Sequence, residues 1–279
     1  MSRKGYPAAV SSSSDPWRLA VFVAGLALLV AVETIWPKRG WRDSRVRRVL
    51  FHGSVAVVNT VLVRLTVAGP LAFLAAWVHR EGWGLAAWCG LRGFPEILAS
   101  LVVLDLADYG WHRANHRVPL LWRFHAPHHT DTHLDVTTAL RFHPGELLLS
   151  GVVKASWILL WGPSVWGFAI FEIGISLAAQ YHHANFDLPD RIEPWLRCVH
   201  VTPRMHASHH SADTGSLDAN FATILSVWDR IFGTYVEPTA AHLGAVGLAY
   251  GRGRDVDAGY LMTMPFRGRE KVEGTDSPP

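Results

Sequence analysis

Thirteen of the chain's 16 histidines lie between His112 and His210, and their spacing matters more than their number. His112 and His116 are four residues apart, which puts them on one face of a helix. His125, His128 and His129 read HxxHH, and His206, His209 and His210 repeat that pattern. On a helix each triplet forms one patch. His183 stands in HHAN and His143 in RFHPGE. Imidazole nitrogen suits zinc, copper, iron or nickel. Eight or more imidazoles exceed what one ion uses, about four in a zinc site. Two ions with four or five nitrogen ligands each account for the number. Each ligating ring needs its second nitrogen held by a partner. Asp108 and Asp105 precede His112 by four and seven residues on about the same face, and are expected to fill that role. Isolated His52, His79, His133, His200 and His242 read as polar tips. A loose histidine tract would not repeat HxxHH. Neither a GxSxG elbow nor an HExxH motif is present, which disfavours hydrolases of those two kinds.

The elements that must carry these rings are apolar. Hydrophobic residues make up 49% of the 279 and charged residues 18%, against about 25% charged in ordinary soluble chains. Residues 17–36 form a 20-residue apolar run with Trp at both ends, long enough to cross a bilayer. Residues 49–78 can span once, with a break expected at Gly69-Pro70. Residues 95–111 read as a third apolar helix. Residues 147–180 are apolar and broken at Gly162-Pro163, which suggests a membrane hairpin whose two ends lie on one side. The run 38–48 holds six basic residues and one acidic one. Placed between apolar segments, it reads as a cytoplasmic flank under the positive-inside rule rather than a nucleic-acid site. With that assignment every histidine motif falls on the cytoplasmic face. A metal-lined transporter is disfavoured, because the histidines lie beside the apolar spans and not within them. Cys89 and Cys198 are too few for a disulfide framework or an iron–sulfur cluster.

The expected fold is an all-α integral membrane helical bundle with a cytoplasmic histidine-rich helical cap. Its expected parts are a disordered tail at 1–16, transmembrane helices at 17–94, a di-metal catalytic region at 95–236 containing the hairpin 147–180, and a C-terminal tail at 237–279, of which 251–279 read as a surface tail with little core.

Six stretches in order resemble the fatty acid hydroxylase superfamily, also called the sterol desaturase family: DLADYGWHRANH, WRFHAPHH, TTALRFHPGE, HHANFDLP, TPRMHASHH and NFATILSVWDRIFGTY. They run from Asp105 to Tyr235. The resemblance implies a di-metal centre, two iron ions, held and made catalytic by His112, His116, His125, His128, His129, His183, His206, His209 and His210. His143 matches a recurrent histidine and is a tenth ligand candidate, and His182 is an alternative to His183. Asn185, Asn220, Trp228 and Asp229 match supporting positions. No separate HxxxH occurs between His143 and His182, which sets the chain apart from other branches. The implied activity is O₂-dependent hydroxylation or desaturation of a lipid: fatty acyl, sterol, carotenoid or ether lipid. With no flavin, haem or iron–sulfur motif, electrons are expected from an external ferredoxin, cytochrome or reductase. The alternative reading is a non-redox membrane metal protein, such as a zinc-dependent hydrolase. Zinc can also displace iron in a purified sample. The short loops suggest a bacterial inner membrane.

Overall fold

A computed structural model describes residues 16–41 and 44–267. The tail expected at 1–16 lies outside the described residues, apart from Pro16. Arg42 and Asp43 of the basic run, and everything after 267, lie outside them too.

The described residues form fourteen α-helices: α1 (Pro16–Ile35), α2 (Arg45–Val63), α3 (Gly69–Glu81), α4 (Leu85–Trp88), α5 (Gly93–Arg117), α6 (Pro119–His129), α7 (Pro144–Trp161), α8 (Val165–His183), α9 (Glu193–Leu196), α10 (Pro203–His209), α11 (Thr214–Leu217), α12 (Val227–Ile231), α13 (Ala240–Gly244) and α14 (Ala258–Thr263). Two 3₁₀ turns, Val136–Leu140 and Met264–Phe266, complete them. Among the described residues there is no strand, only two isolated antiparallel bridges, His200 with Leu225 and Ser211 with Val246.

Two helical stretches are long and apolar enough to cross a membrane, Trp17–Ile35 and Arg45–Trp88. The second does not break at Gly69-Pro70. α2 passes into α3 through a π-helical turn, Arg64–Ala68. Pro70 has no N–H, and its ring crowds the carbonyl four residues back, so widening the preceding turn is how the helix continues past it.

α5 is the central strut, with α7 and α8 packed on it. α7 and α8 are 18 and 19 residues long, about 27–29 Å, because each runs further into the cap than its apolar stretch. Gly162 between them adopts φ +72°, and its backbone rides on Trp83 and Gly84, where a Cβ would collide with the Trp83 carbonyl. The hairpin tip therefore reaches the far end of α3. Leu71, Ala75, Val78, Leu104, Ile158, Phe168 and Phe171 form the core at that end.

The molecule is apolar outside and polar at its buried upper end. Leu28, Val57, Val58, Leu65, Phe73, Val152, Leu160 and Trp166 all face outward. An apolar collar of that extent marks a surface meant for lipid or another protein. Inside, Arg48 forks onto Asp131 (2.8 and 2.9 Å) and reaches Asp135 at 2.6 Å. Glu33 pairs with Arg45 at 2.7 Å and accepts from the Asn185 amide at 2.9 Å. His52 and His133, expected as polar tips, are buried. His52 Nδ1 meets Thr137 Oγ1 at 2.7 Å, and His133 lies among the groups that hold Arg48. The basic run is thus docked on the segments that flank the histidines: Lys38 on Asp187, Arg39 on the Leu134 carbonyl, Arg48 on Asp131.

Residues 240–266 are not a loose surface tail. Val246, Leu248, Tyr260 and Leu261 are buried, and Arg141 donates to the Asp255 carbonyl.

Candidate metal centre

Four helix segments converge at the polar end. α5 brings His112 and His116, α6 brings His125, His128 and His129, the end of α8 brings His183, and α10 with the residue after it brings His206, His209 and His210. The nine rings form two groups. His112, His116, His125, His129 and His209 make one; His128, His183, His206 and His210 make the other. Within each group the available ligand atoms lie within 4.8 Å of one another.

Each HxxHH motif is divided between the groups. His125 and His129 face the first group while His128 faces the second; His206 and His210 face the second while His209 faces the first. Helical geometry explains the division. Residues i and i+4 differ by about 40° around the axis, whereas i+3 points about 60° the other way. One motif on each of two facing helices therefore lines both sites, and His129 stacks on His210 at 4.2 Å where the groups meet.

Four of the nine rings have their outer nitrogen held, three by a backbone carbonyl and one by a carboxylate, while His116, His128, His129, His206 and His210 have no partner there. His112 Nδ1 lies 2.7 Å from the Phe221 carbonyl, His209 Nδ1 2.7 Å from that of Ala219, and His183 Nδ1 2.7 Å from that of Ala179. His125 Nδ1 lies 2.8 Å from Glu146 Oε1. The loop that presents residues 219–221 is itself fixed. Asn220 adopts φ +57° and donates to Ser208 Oγ and the Val236 carbonyl. Asp229 accepts from the Phe221 and Ala222 amides at 2.8 and 3.0 Å.

Asp105 and Asp108 do not touch a histidine nitrogen. Asp105 accepts from the amides of Ile224 and Leu225 and from Trp228 Nε1, and Asp108 accepts from Thr223 Oγ1. They anchor residues 223–228, the stretch that follows the ring-holding carbonyls of Ala219 and Phe221. Asn185 likewise binds the backbone of Arg39, not a ring. His143 stands outside both groups. It caps α7 by accepting from the Gly145 amide at 2.9 Å, and its ring lies against Phe124 and Phe266. His182 packs against His206 with the ring centroids 3.8 Å apart and the planes tilted by 35°, and faces the Thr223 carbonyl; it too is outside the two groups.

The hydrogen-bonding pattern tests whether these sites suit cations. A carbonyl only accepts, so His112 and His209 each carry their single proton on Nδ1. Their Nε2 atoms then face each other at 3.1 Å with lone pairs and no proton between them. That contact is repulsive unless a cation lies between the pairs. Buried His116 has no hydrogen-bond partner at either ring nitrogen; the nearest acid, Asp218, is 3.6 Å away. Desolvation keeps His116, His128, His129, His206 and His210 well below the ordinary histidine pKa and lowers His209 to about 3. Burial thus keeps these rings neutral, the form that binds metal. An all-imidazole set fits iron, zinc, copper or nickel.

Glu146 and the carbonyls of Ala219 and Phe221 were not singled out from sequence. Glu146 closes RFHPGE and was within reach of that reading; a carbonyl's partner leaves no trace in a sequence.

A family model described as fatty acid hydroxylase matches residues 97–234, which hold all nine rings. The ornithine lipid hydroxylase OlsE of Rhizobium tropici is 26% identical over 275 residues, covering 92% of this chain and 78% of that protein. Alkylglycerol monooxygenase of Xenopus tropicalis is 34% identical over 140 residues, 48% of this chain but only 29% of its own length. A cholesterol 25-hydroxylase-like protein of Danio rerio is 28% identical over 59% of this chain and 65% of its own length. No solved structure matches. The order of the histidine motifs, the two groups they build and the matching family model carry one conclusion: this chain belongs to the fatty acid hydroxylase family.

Proposed function

We propose that the chain is a membrane-bound di-iron oxidoreductase that uses O₂ to hydroxylate or desaturate a lipid. The observation that carries this reading is the pair of adjoining histidine groups, five and four rings, at the end of an apolar helical bundle. Bound there, two iron ions would supply the redox chemistry by which O₂ attacks an unactivated C–H bond. The chain's own residues do the rest. Nine imidazoles hold the ions, carbonyls and Glu146 fix the orientation of His112, His125, His183 and His209, and burial keeps bulk water away. The relatives named for lipid hydroxylation and monooxygenation favour hydroxylation over desaturation. The substrate enters from the bilayer, and electrons come from a separate reductase, ferredoxin or cytochrome.

We place the histidine groups on the cytoplasmic side of a bacterial inner membrane. The docking of the basic run on Asp131, Leu134 and Asp187 supports this, because the run and the rings then share one side of the membrane. The catalytic unit is residues 95–236, with 17–94 as its membrane anchor.

Membranes containing the protein, supplied with lipid, reductant and ¹⁸O₂, should give a product carrying the label, and His128→Ala should give none. Label arriving from water would instead indicate a zinc-dependent hydrolase, and equal conversion by His128→Ala would refute the metal assignment.

A further inference from the structure

Below the histidine groups an apolar cleft runs between α5, α7 and α8, lined by Leu104, Asp108, Trp111, Lys154, Trp157 and Phe168 among others. Its upper end is close to the rings. Asp108 and Trp111 sit within a helical turn of His112, about 6 Å along α5. α7 and α8 form its walls, and one ion pair bridges them: Lys154 Nζ to Glu172 Oε1 at 2.8 Å. Both side chains are about three-quarters buried, 29% and 24% exposed, in the middle of otherwise apolar helices.

An ion pair in such surroundings is a poor strut. Removing two charges from water costs more than their attraction reliably returns, and apolar side chains of the same volume would join the helices as well. Ionisable residues inside membrane helices mark sites that handle a ligand or an ion. The chemistry of this pair is specific. The ammonium has three donors and spends one on Glu172; the carboxylate keeps acceptor capacity. Lys154 presents its donors on the lining of the cleft, Glu172 stands behind it as the paired acceptor and the two cancel in charge, while Asp108, the carboxylate on the lining, is engaged by Thr223 Oγ1. The matching ligand group is neutral and both donates and accepts. A secondary amide or a hydroxyl does this. An ester only accepts, a methylene does neither, and a lone charge would be costly to bury there.

We propose that the cleft binds the alkyl chain of the lipid substrate, and that Lys154 and Glu172 select chains interrupted by an amide or hydroxyl. The proposal rests on the lipid reading above and names the substrate class within it.

The test uses single-chain amphiphiles of equal length, brominated at the far end, with a secondary amide, a hydroxyl, an ester or a methylene at one position moved along the chain. Binding to the iron-loaded protein in detergent is read by quenching of tryptophan fluorescence, since Trp111 and Trp157 line the cleft. At the matching position the amide or hydroxyl chain should bind about tenfold tighter than the methylene chain, the weight of one net hydrogen bond; the ester should fall between them. Lys154→Met combined with Glu172→Leu should erase the difference, and Lys154→Glu combined with Glu172→Lys, which keeps donor and acceptor, should restore it. No preference at any position in the unaltered protein overturns the proposal, as does a preference that survives the Met/Leu pair. Should a variant not fold, the series on the unaltered protein decides alone. Iron content and turnover in the same preparation report separately on the lipid-oxidation reading, because this binding requires neither.

Discussion

The roles of single histidines follow from where each ring proton sits. His112 and His209 give theirs to carbonyls, so both turn a bare Nε2 inward. His143 uses Nδ1 to accept from the Gly145 amide and caps a helix. We therefore expect His143→Ala to keep the bound metal while lowering stability by about 0.5–2 kcal/mol, the ordinary cost of a lost N-cap, and His143→Asn to recover most of it. Metal analysis alongside denaturant melts checks this; loss of metal in His143→Asn would make His143 a ligand. Acid provides a second check. His209 titrates near 6.5 when unfolded and about 3 when folded, because burial disfavours its charged form. The unfolded chain thus takes up protons first. The stability this neutrality confers is complete above about 6.5 and drains as pH falls toward about 3. Denaturant midpoints of the metal-free protein should fall through that interval, and a flat profile would contradict the burial of these rings.

Two short helices, α6 and α10, do most of the site building, and the chain ties their ends together from a distance. The Gly247 amide donates to the His210 carbonyl at 2.8 Å and the Leu248 amide to the His129 carbonyl at 3.1 Å. Consecutive residues thus clasp the last histidines of both HxxHH motifs. Gly247 adopts φ +86°, and a Cβ there would lie 2.9 Å from Thr132 Cγ2 and 3.0 Å from the Asp131 carbonyl. Gly247→Val should weaken metal retention against a chelator and lower stability by about 1–3 kcal/mol; unchanged retention would show that the clasp does not position the rings. This strap lies beyond the matched residues 97–234, and its sequence carries little signal. Val246, Leu248, Tyr260 and Leu261 are scattered among glycines and charges, so no periodicity announces that they are buried. The helices that carry the rings were legible for the opposite reason, since a spacing of three and four residues on an apolar background has one helical meaning. Asp105 was misread by the same rule. It shares a face with His112, but Trp228 and the amides of Ile224 and Leu225 reach it first, and those contacts come from more than a hundred residues away.

The molecule as a whole reverses the usual soluble pattern, with imidazoles, carboxylates and guanidinium groups buried at one end and leucine, valine and phenylalanine outside. Composition and apolar run lengths make that legible in the sequence. They did not reveal that the basic run is part of the interior, because Arg48 finds Asp131 and Asp135 only once the chain is folded. Nor did they show how nine rings divide into five and four. That division is the central claim. It is tested most directly by anomalous X-ray scattering at the iron edge from crystals of protein made in iron-supplemented cells. We expect two peaks per chain, one among His112, His116, His125, His129 and His209, the other among His128, His183, His206 and His210. A single peak, or peaks away from these rings, would contradict it.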